Sequence, residues 1–206
     1  LLAGETCALV TDAGTPAISD PGELLVQSCA QADIPVVAIP GPCALITALA
    51  VSGLPTGRFT FEGFLAMNKK NRRAHLESLR GEERTMIFHE APHKLRATLE
   101  DLRETFGPDR RVALCRELTK LHEETVRTTL GEAAAYYQEN TPKGEYVLVV
   151  AGSPPRETAA VTLEEGTEQV LRLVAQGIRL KDAAREVSAH TGLSKNELYA
   201  AALERS

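Results

Sequence analysis

The four cysteines of this sequence, Cys7, Cys29, Cys43 and Cys115, stand far apart and include no C-x-x-C pair. Thiols so scattered exclude a disulfide framework or a zinc knuckle and suit a reducing, cytoplasmic compartment. Long apolar runs are also missing. The stretch from Tyr146 to Ala151 is among the longest, far short of the roughly 20 residues a membrane-spanning helix needs. No basic-then-apolar leader is present, so no membrane partner is expected. Positive charge is in deficit, with 23 Lys and Arg against 28 Asp and Glu. A chain of net charge −5 has no general attraction for nucleic acid, so any such binding must come from a local basic patch. An initiating methionine is lacking too. Leu1 leads within a few residues into an apolar run, which reads as a fragment with an upstream part missing.

What is present is an ordinary globular composition, 43% apolar and 25% charged, in a chain of 206 residues that can bury a real core. Residues 7–12 (CALVTD) and 34–39 (IPVVAI) read as strands, and 22–32 and 43–52 read as helices by their apolar spacing. A strand-loop-helix rhythm of this kind implies a parallel α/β sheet, with ligands bound at the carboxyl ends of its strands. "LPTGR" at 54–58 is a plausible hinge. Beyond it, "RFTFEGFL", "RTMIFHE", "RRVALCREL", "HEETVRTT" and "GEYVLVVAG" read as strands, the third and fourth as an antiparallel pair. Helices are expected at the basic run 68–80, at "PHKLRATLEDLRETFG" and at "LGEAAAYYQEN". "GSPPRE" at 152–157 reads as a linker, and the tail behind it as wholly helical, with capping boxes at Thr162–Glu165 and Ser194–Glu197 and a break at Gly192. The expected organisation is therefore the remainder of a first α/β domain over 1–55, a second α/β domain over 56–152 and a helix-turn-helix-like extension over 158–206.

His89-Glu90-Ala91-Pro92-His93 spells H-E-x-x-H, the zinc-protease pentapeptide. It works only on a continuous helix, where i and i+4 put both imidazoles on one face. Pro92 is tolerated only in a helix's first turn, and "RTMIF" before it reads as strand. His89 and Glu90 should therefore end a strand and His93 begin a helix, so no metal site is expected.

The two glycine- and proline-rich bends, "DAGTPAISDPG" at 12–22 and "PGPCA" at 40–44, are the places where backbone can approach a ligand closely. Gly14, Pro16 and Gly22 permit sharp turning, while Asp12 and Asp20 could accept hydroxyl or ammonium hydrogens. "PGPCA" leads into a helix whose free N–H groups could meet a carboxylate or a ribose. Plain chain reversal accounts for each bend equally well when it is taken alone.

Together, however, "TDAGTPAISDPG", "IPGPCALITAL" and "FEGFL…RTMIFHEAPHKL…RELTKLHEET…KGEYVLVVAG" resemble the tetrapyrrole-methylase superfamily, in order, from about residue 2 to 152. Within it they are most similar to the bacterial branch that methylates the 2′-hydroxyl of a cytidine in 16S rRNA, and the helical tail matches that branch's extension. The resemblance implies two α/β domains that hold S-adenosyl-L-methionine in the cleft between them, a homodimer, and 16S rRNA or the small ribosomal subunit as partner. It also implies that Asp12, Gly14, Thr15 and Ile18 in the first bend and Cys43 and Ala44 in the second form the cofactor site. From the second domain it implies that Phe88, Glu117 and the Glu145-Tyr146 stretch face the adenosine. Cys43 stands where such proteins usually carry serine, and "FLAMNKKNRR" lacks their proline after "FL". The family's first strand and its loop do not precede Leu1.

Methyl transfer to a hydroxyl is a direct displacement that needs alignment and a proton acceptor within hydrogen-bond reach. Glu90, His89 and Glu117 are the candidates because each ends an expected strand. Pairing of Glu90 with Lys94 or Arg96 is the plainer alternative. Lys69, Lys70, Arg72 and Arg73 make the densest basic cluster and are the candidate RNA-binding residues, against the plainer reading of a solvated helix face. Two other functions stay open. One is a precorrin or porphyrin methyltransferase of the same superfamily, which would need neither the basic run nor the tail. The other is a DNA-binding regulator acting through the C-terminal helices. The last helix there, "SKNELYAAALE", carries one lysine and two glutamates, so DNA binding is not expected.

Overall fold

Alternation of side chains along five strands builds the core of the first part of the chain. In the computed structural model, which describes residues 1–12, 14–154 and 161–205, these are β1 (Phe59–Phe64), β2 (Thr85–Glu90), β3 (Arg111–Arg116), β4 (Glu124–Thr129) and β5 (Tyr146–Val150). They form one mixed sheet in the order β1-β2-β5-β3-β4. β1 runs parallel to β2, while β2–β5, β5–β3 and β3–β4 are antiparallel. The last of these is the antiparallel pair the sequence implied.

Helices cover both faces. On one side pack α3 (Lys69–Ser78), α4 (Pro92–Phe106) and α5 (Leu130–Glu139), where Leu76, Leu95, Leu99, Leu102 and Leu130 meet Met86, Phe88, Leu114, Tyr146, Leu148 and Val150. On the other lies α2 (Ala44–Val51), whose Leu45, Ala48 and Leu49 meet Ile87, Ala113, Cys115, Val147 and Val149. α4 shows why such a helix forms and ends where it does. Pro92 sits in its first turn, where no N–H is needed, its leucines recur on one face, and Gly107 ends it in the left-handed region at φ 91°. Arg127 of β4 donates twice to the Val51 carbonyl at the end of α2, at 3.2 and 2.5 Å, tying that helix to the sheet.

The first 55 residues depart from expectation. α1 (Glu23–Gln31) and α2 form, but residues 7–12 and 34–39 join no ladder among the described residues. A strand exists only where a neighbouring backbone exchanges hydrogen bonds with it. Here Val10, Val37 and Ile39 stay exposed in extended chain. The fold is thus α/β with one mixed five-stranded sheet, and no second sheet forms among the described residues.

The chain divides into two compact units, Leu1–Pro154 and Pro155–Ser206. The second holds α6 (Leu163–Ala175), α7 (Leu180–Thr191) and α8 (Lys195–Glu204) around Val170, Ala183, Ala184, Val187, Leu198 and Ala202. Thr162 and Glu165 make the expected capping box at α6. Ser194 does not: its side chain caps nothing at α8. Gly192 breaks the helices at φ 75°. Residues 155–157 of the expected linker lie outside the described residues. None of the helices, among the described residues, is long and apolar enough to cross a membrane.

Leu99→Ala, in the fully buried α4 face, is expected to destabilise the first unit by about 2–5 kcal/mol. Leu121→Ala, at a site 94% exposed, should stay within about 0.5 kcal/mol. Denaturant midpoints with unchanged slopes check both.

Candidate active site

The carboxyl ends of β1, β2 and β3 and the start of β5 fall along one edge of the sheet, since Phe64 pairs with His89, Glu90 with Tyr146, and Tyr146 with Arg116. Both bends of the first 55 residues approach the α2 side of this edge. The Thr15 hydroxyl donates to the Pro42 carbonyl at 2.9 Å, which joins the first bend to the second. Gly14 is left-handed at φ 79°, and a Cβ there would lie 3.9 Å from the same oxygen. A Cβ on Gly63 of β1 would lie 4.0 Å from the Ser19 hydroxyl oxygen, so the first bend also borders the sheet. Within the bend the Thr11 hydroxyl reaches Asp12 at 3.3 Å and Asp20 at 3.4 Å. Ile18 is exposed, as is Ala44, the first residue of α2. Cys43 is the N-cap of α2 and half-buried, yet its side chain bonds none of the first-turn N–H groups.

His89 is the residue of β2 that faces this crevice. Phe61 and Phe64 meet its ring edge-on at centroid distances of 5.0 and 5.4 Å. Its Nε2 is buried with no hydrogen-bond partner. Burial holds the imidazole pKa below its usual value, while the charges of Asp20 and Glu145 pull the other way. A ring so placed is neutral at pH 7, with an unused nitrogen. The H-E-x-x-H word is divided as its proline implied: His89 and Glu90 lie in β2, and His93 lies in α4.

Glu90 and Phe88 point to the opposite face. Phe88 is fully buried among the α4 leucines. Glu90 is buried and accepts from Thr98 of α4 at 2.5 Å and from the Ala91 N–H at 2.9 Å. Its partners are these, rather than Lys94 or Arg96. Tyr146 shares that face, edge-on to Tyr137 at 5.9 Å. The structure therefore does not bring Phe88, Glu90 or the Tyr146 ring to the crevice. Glu117 lies at its rim, in the left-handed region at φ 50°. It accepts from the Glu145 N–H at 2.9 Å and from Lys120 at 3.1 Å, contacts that lower its pKa. Lys120 also reaches Glu145 at 3.0 Å. This knot braces the β3 and β5 ends against each other, and sequence spacing gave no sign of Lys120.

The basic cluster splits in two. Arg72 is 13% exposed and bonds Asp101 of α4 at 2.7 Å, together with the carbonyls of Ala66 and Met67. Arg73 bonds Asp101 at 3.1 Å and Glu104 at 2.5 Å. Removing one partner from the buried Arg72–Asp101 pair costs about 3–5 kcal/mol, whereas the half-exposed Arg73–Glu104 contact contributes about 0–1 kcal/mol, so Arg72 above all holds α3 to α4. Lys69 and Lys70, in the exposed first turn of α3, have no acidic residue beside them in that turn.

The tetrapyrrole (corrin/porphyrin) methylase model matches residues 1–134, and the chain belongs to that family. A second model, the RsmI C-terminal HTH domain, matches residues 160–206. The chain is 48% identical over 204 residues to Ribosomal RNA small subunit methyltransferase I of Synechocystis sp., spanning 99% of this chain and 73% of that protein. It is 46% identical to the protein of that name from Mycobacterium tuberculosis, spanning 98% of this chain and 69% of that protein. To the one from Escherichia coli O157:H7 it is 45% identical, spanning 98% and 70%. Among solved structures, the methyltransferase CobJ aligns with a TM-score of 0.50 at 20% identity, over 70% of this chain and 64% of that one. This last likeness speaks to the fold alone.

The His89 imidazole is expected to titrate below pH 6.5 in the folded protein, and Asp20→Asn to lower it further by removing a nearby negative charge. The unfolded chain then binds more protons between the folded value and 6.5. Stability should fall as pH drops through that window and be untouched above it. Imidazole NMR titration checks the first statement, and denaturant midpoints against pH, for wild type and His89→Gln, check the second.

Proposed function

We propose that the chain transfers a methyl group from S-adenosyl-L-methionine to the ribose 2′-hydroxyl of a cytidine in 16S rRNA. The observation that carries this reading is the 48% identity, over 99% of the chain, to an enzyme named for methylating small-subunit ribosomal RNA. A tetrapyrrole substrate is less well supported, since residues 160–206 match a domain named for the ribosomal RNA enzyme. The finer picture belongs to the same proposal: 1–55 as the remainder of an N-terminal α/β domain, a second α/β domain over 56–152, a helical extension over 158–206, and a homodimer.

The residues present fit the methyl donor. The first turn of α2 has N–H groups that no side chain caps, which suits a carboxylate at a helix N-terminus. Asp12 and Asp20 supply acceptors for an ammonium or for ribose hydroxyls, and Gly14, Thr15 and Ile18 supply close backbone. Cys43 and Ala44 border the same space, and Glu145 stands at its far rim. When bound, S-adenosylmethionine provides an activated methyl on a sulfonium. The chain's own work is to align the hydroxyl with that methyl, which alone is worth up to about 7–11 kcal/mol, and to accept the hydroxyl proton.

Of the three candidate bases, His89 is best suited, because its buried Nε2 has no partner and its ring is neutral at pH 7. Glu90 is engaged by Thr98, and Glu117 by Glu145 and Lys120. For RNA, Lys69 and Lys70, both exposed, are the cations that would meet phosphate, while Arg72 and Arg73 of the same helix anchor it to α4.

Labelled S-adenosylmethionine with small-subunit RNA should give one ribose-methylated cytidine on mapping. Transfer to a tetrapyrrole and none to RNA would reverse the reading. His89→Gln should lower kcat by roughly 10²–10⁴-fold, the usual worth of a general base, with little change in cofactor affinity. An unchanged kcat would dismiss His89 as the base.

A further inference from the structure

β1 contains an irregularity that the reaction described so far does not use. Phe61 pairs with Ile87, but the next pairing is Gly63 with Phe88, so Glu62 is an extra residue in the ladder. Gly63 makes the bulge possible, since it takes a left-handed φ of 63°. The consequence is one of parity. In a regular strand Phe61 and Phe64 would fall on opposite faces. The bulge instead sets Phe64 opposite His89, and both phenyl rings flank the same imidazole. Bulges re-aim side chains beside active sites, and this one turns an aromatic ring towards the crevice.

The re-aimed ring touches His89 yet leaves much of its surface open. Phe64 is 53% exposed in a chain only 4% aromatic. Met67, a few residues on, is also exposed, and Lys69 and Lys70 follow in the open first turn of α3. Along the chain from Phe64, which touches His89, the order is therefore an aromatic face, an exposed apolar side chain and two exposed ammonium groups. That order matches one nucleotide and its flank, a π-faced base joined through ribose to phosphate. Proteins that recognise single-stranded RNA stack splayed bases on aromatic rings and hold phosphates with cations.

We propose that Phe64 is the platform on which the base of the target nucleotide stacks, with Lys69 and Lys70 on the adjoining phosphates, so that its ribose is presented to His89. This rests on the RNA-methyltransferase reading above and adds to it the residue that seats the base. The other flat ring available is the adenine of the methyl donor, and the two are separable by measurement.

Phe64→Ala, Phe64→Leu and Phe64→Trp should be compared with wild type by methyl transfer to small-subunit RNA and by calorimetric binding of S-adenosylmethionine, with thermal midpoints as a folding control. Loss of one stacked base corresponds to roughly 5- to 150-fold weaker RNA binding. Alanine and leucine should raise the KM for RNA in that range, tryptophan should restore it, and cofactor affinity should stay within twofold. Lys69→Gln with Lys70→Gln should flatten the salt dependence of RNA binding by roughly 0.7 log units per log unit of salt for each phosphate lost, whereas Phe64→Leu should leave that slope unchanged. An RNA KM unmoved in both alanine and leucine variants overturns the proposal. So does cofactor affinity falling in step with RNA affinity, which would assign the ring to adenine. A wild-type protein inactive on any RNA would instead remove the parent reading, a distinct result.

Discussion

The pleat of β2 is the constraint from which the rest of the first unit follows. Its side chains alternate, so Met86, Phe88 and Glu90 face α4 while Ile87 and His89 face α2 and the two bends. The neighbouring strands obey the same division, with Leu148 and Leu114 on one side and Val149 and Ala113 on the other. Packing against the α4 leucines fixes which face is which, because a slip of one residue would bury His89 among them and expose Phe88. Adjacent residues are thereby separated: Glu90 becomes part of the support, and His89 lies on the side of the two bends.

Polar contacts tie together the loops that border the crevice. Thr15 ties one bend to the other through the Pro42 carbonyl, and the Glu117–Glu145–Lys120 knot clamps the opposite rim. Ala17 and Ser19 in the first bend, and Glu117 and Thr119 at the rim, all adopt positive φ without being glycine. Such conformations cost of order 1–3 kcal/mol each and persist where surrounding contacts over-determine them. Their concentration around one edge of the sheet marks it as the place where fold stability is traded for geometry. Behind that edge, the Arg72–Asp101 pair does for α3 what Thr98 does for Glu90, converting charge into rigid placement.

Much of this was legible in the sequence. Alternation and helical spacing identified the strands and helices from residue 59 onward, and Pro92 alone argued that the H-E-x-x-H word straddles a strand and a helix. The glycine- and proline-rich bends were recognisable as sharp turns. The strands expected at 7–12 and 34–39 were misread because apolar, β-branched composition describes what a strand prefers and says nothing of whether a partner lies alongside. The division within the basic cluster was hidden for a similar reason. Four cations in five residues look alike in sequence, and only the approach of Asp101 and Glu104, some thirty residues later, divides them.

The sequence by itself determined the family, the run of elements in the sheet and the capping of α6, because each depends on residues near one another along the chain. Tertiary structure decided which of His89 and Glu90 meets the crevice, which cations remain free and where Phe64 points. Those outcomes depend on strand register, on a bulge of one residue and on side chains brought together from distant segments. None of these quantities is written in local spacing, since each is fixed only when the backbone of another element supplies the hydrogen bonds or the charge.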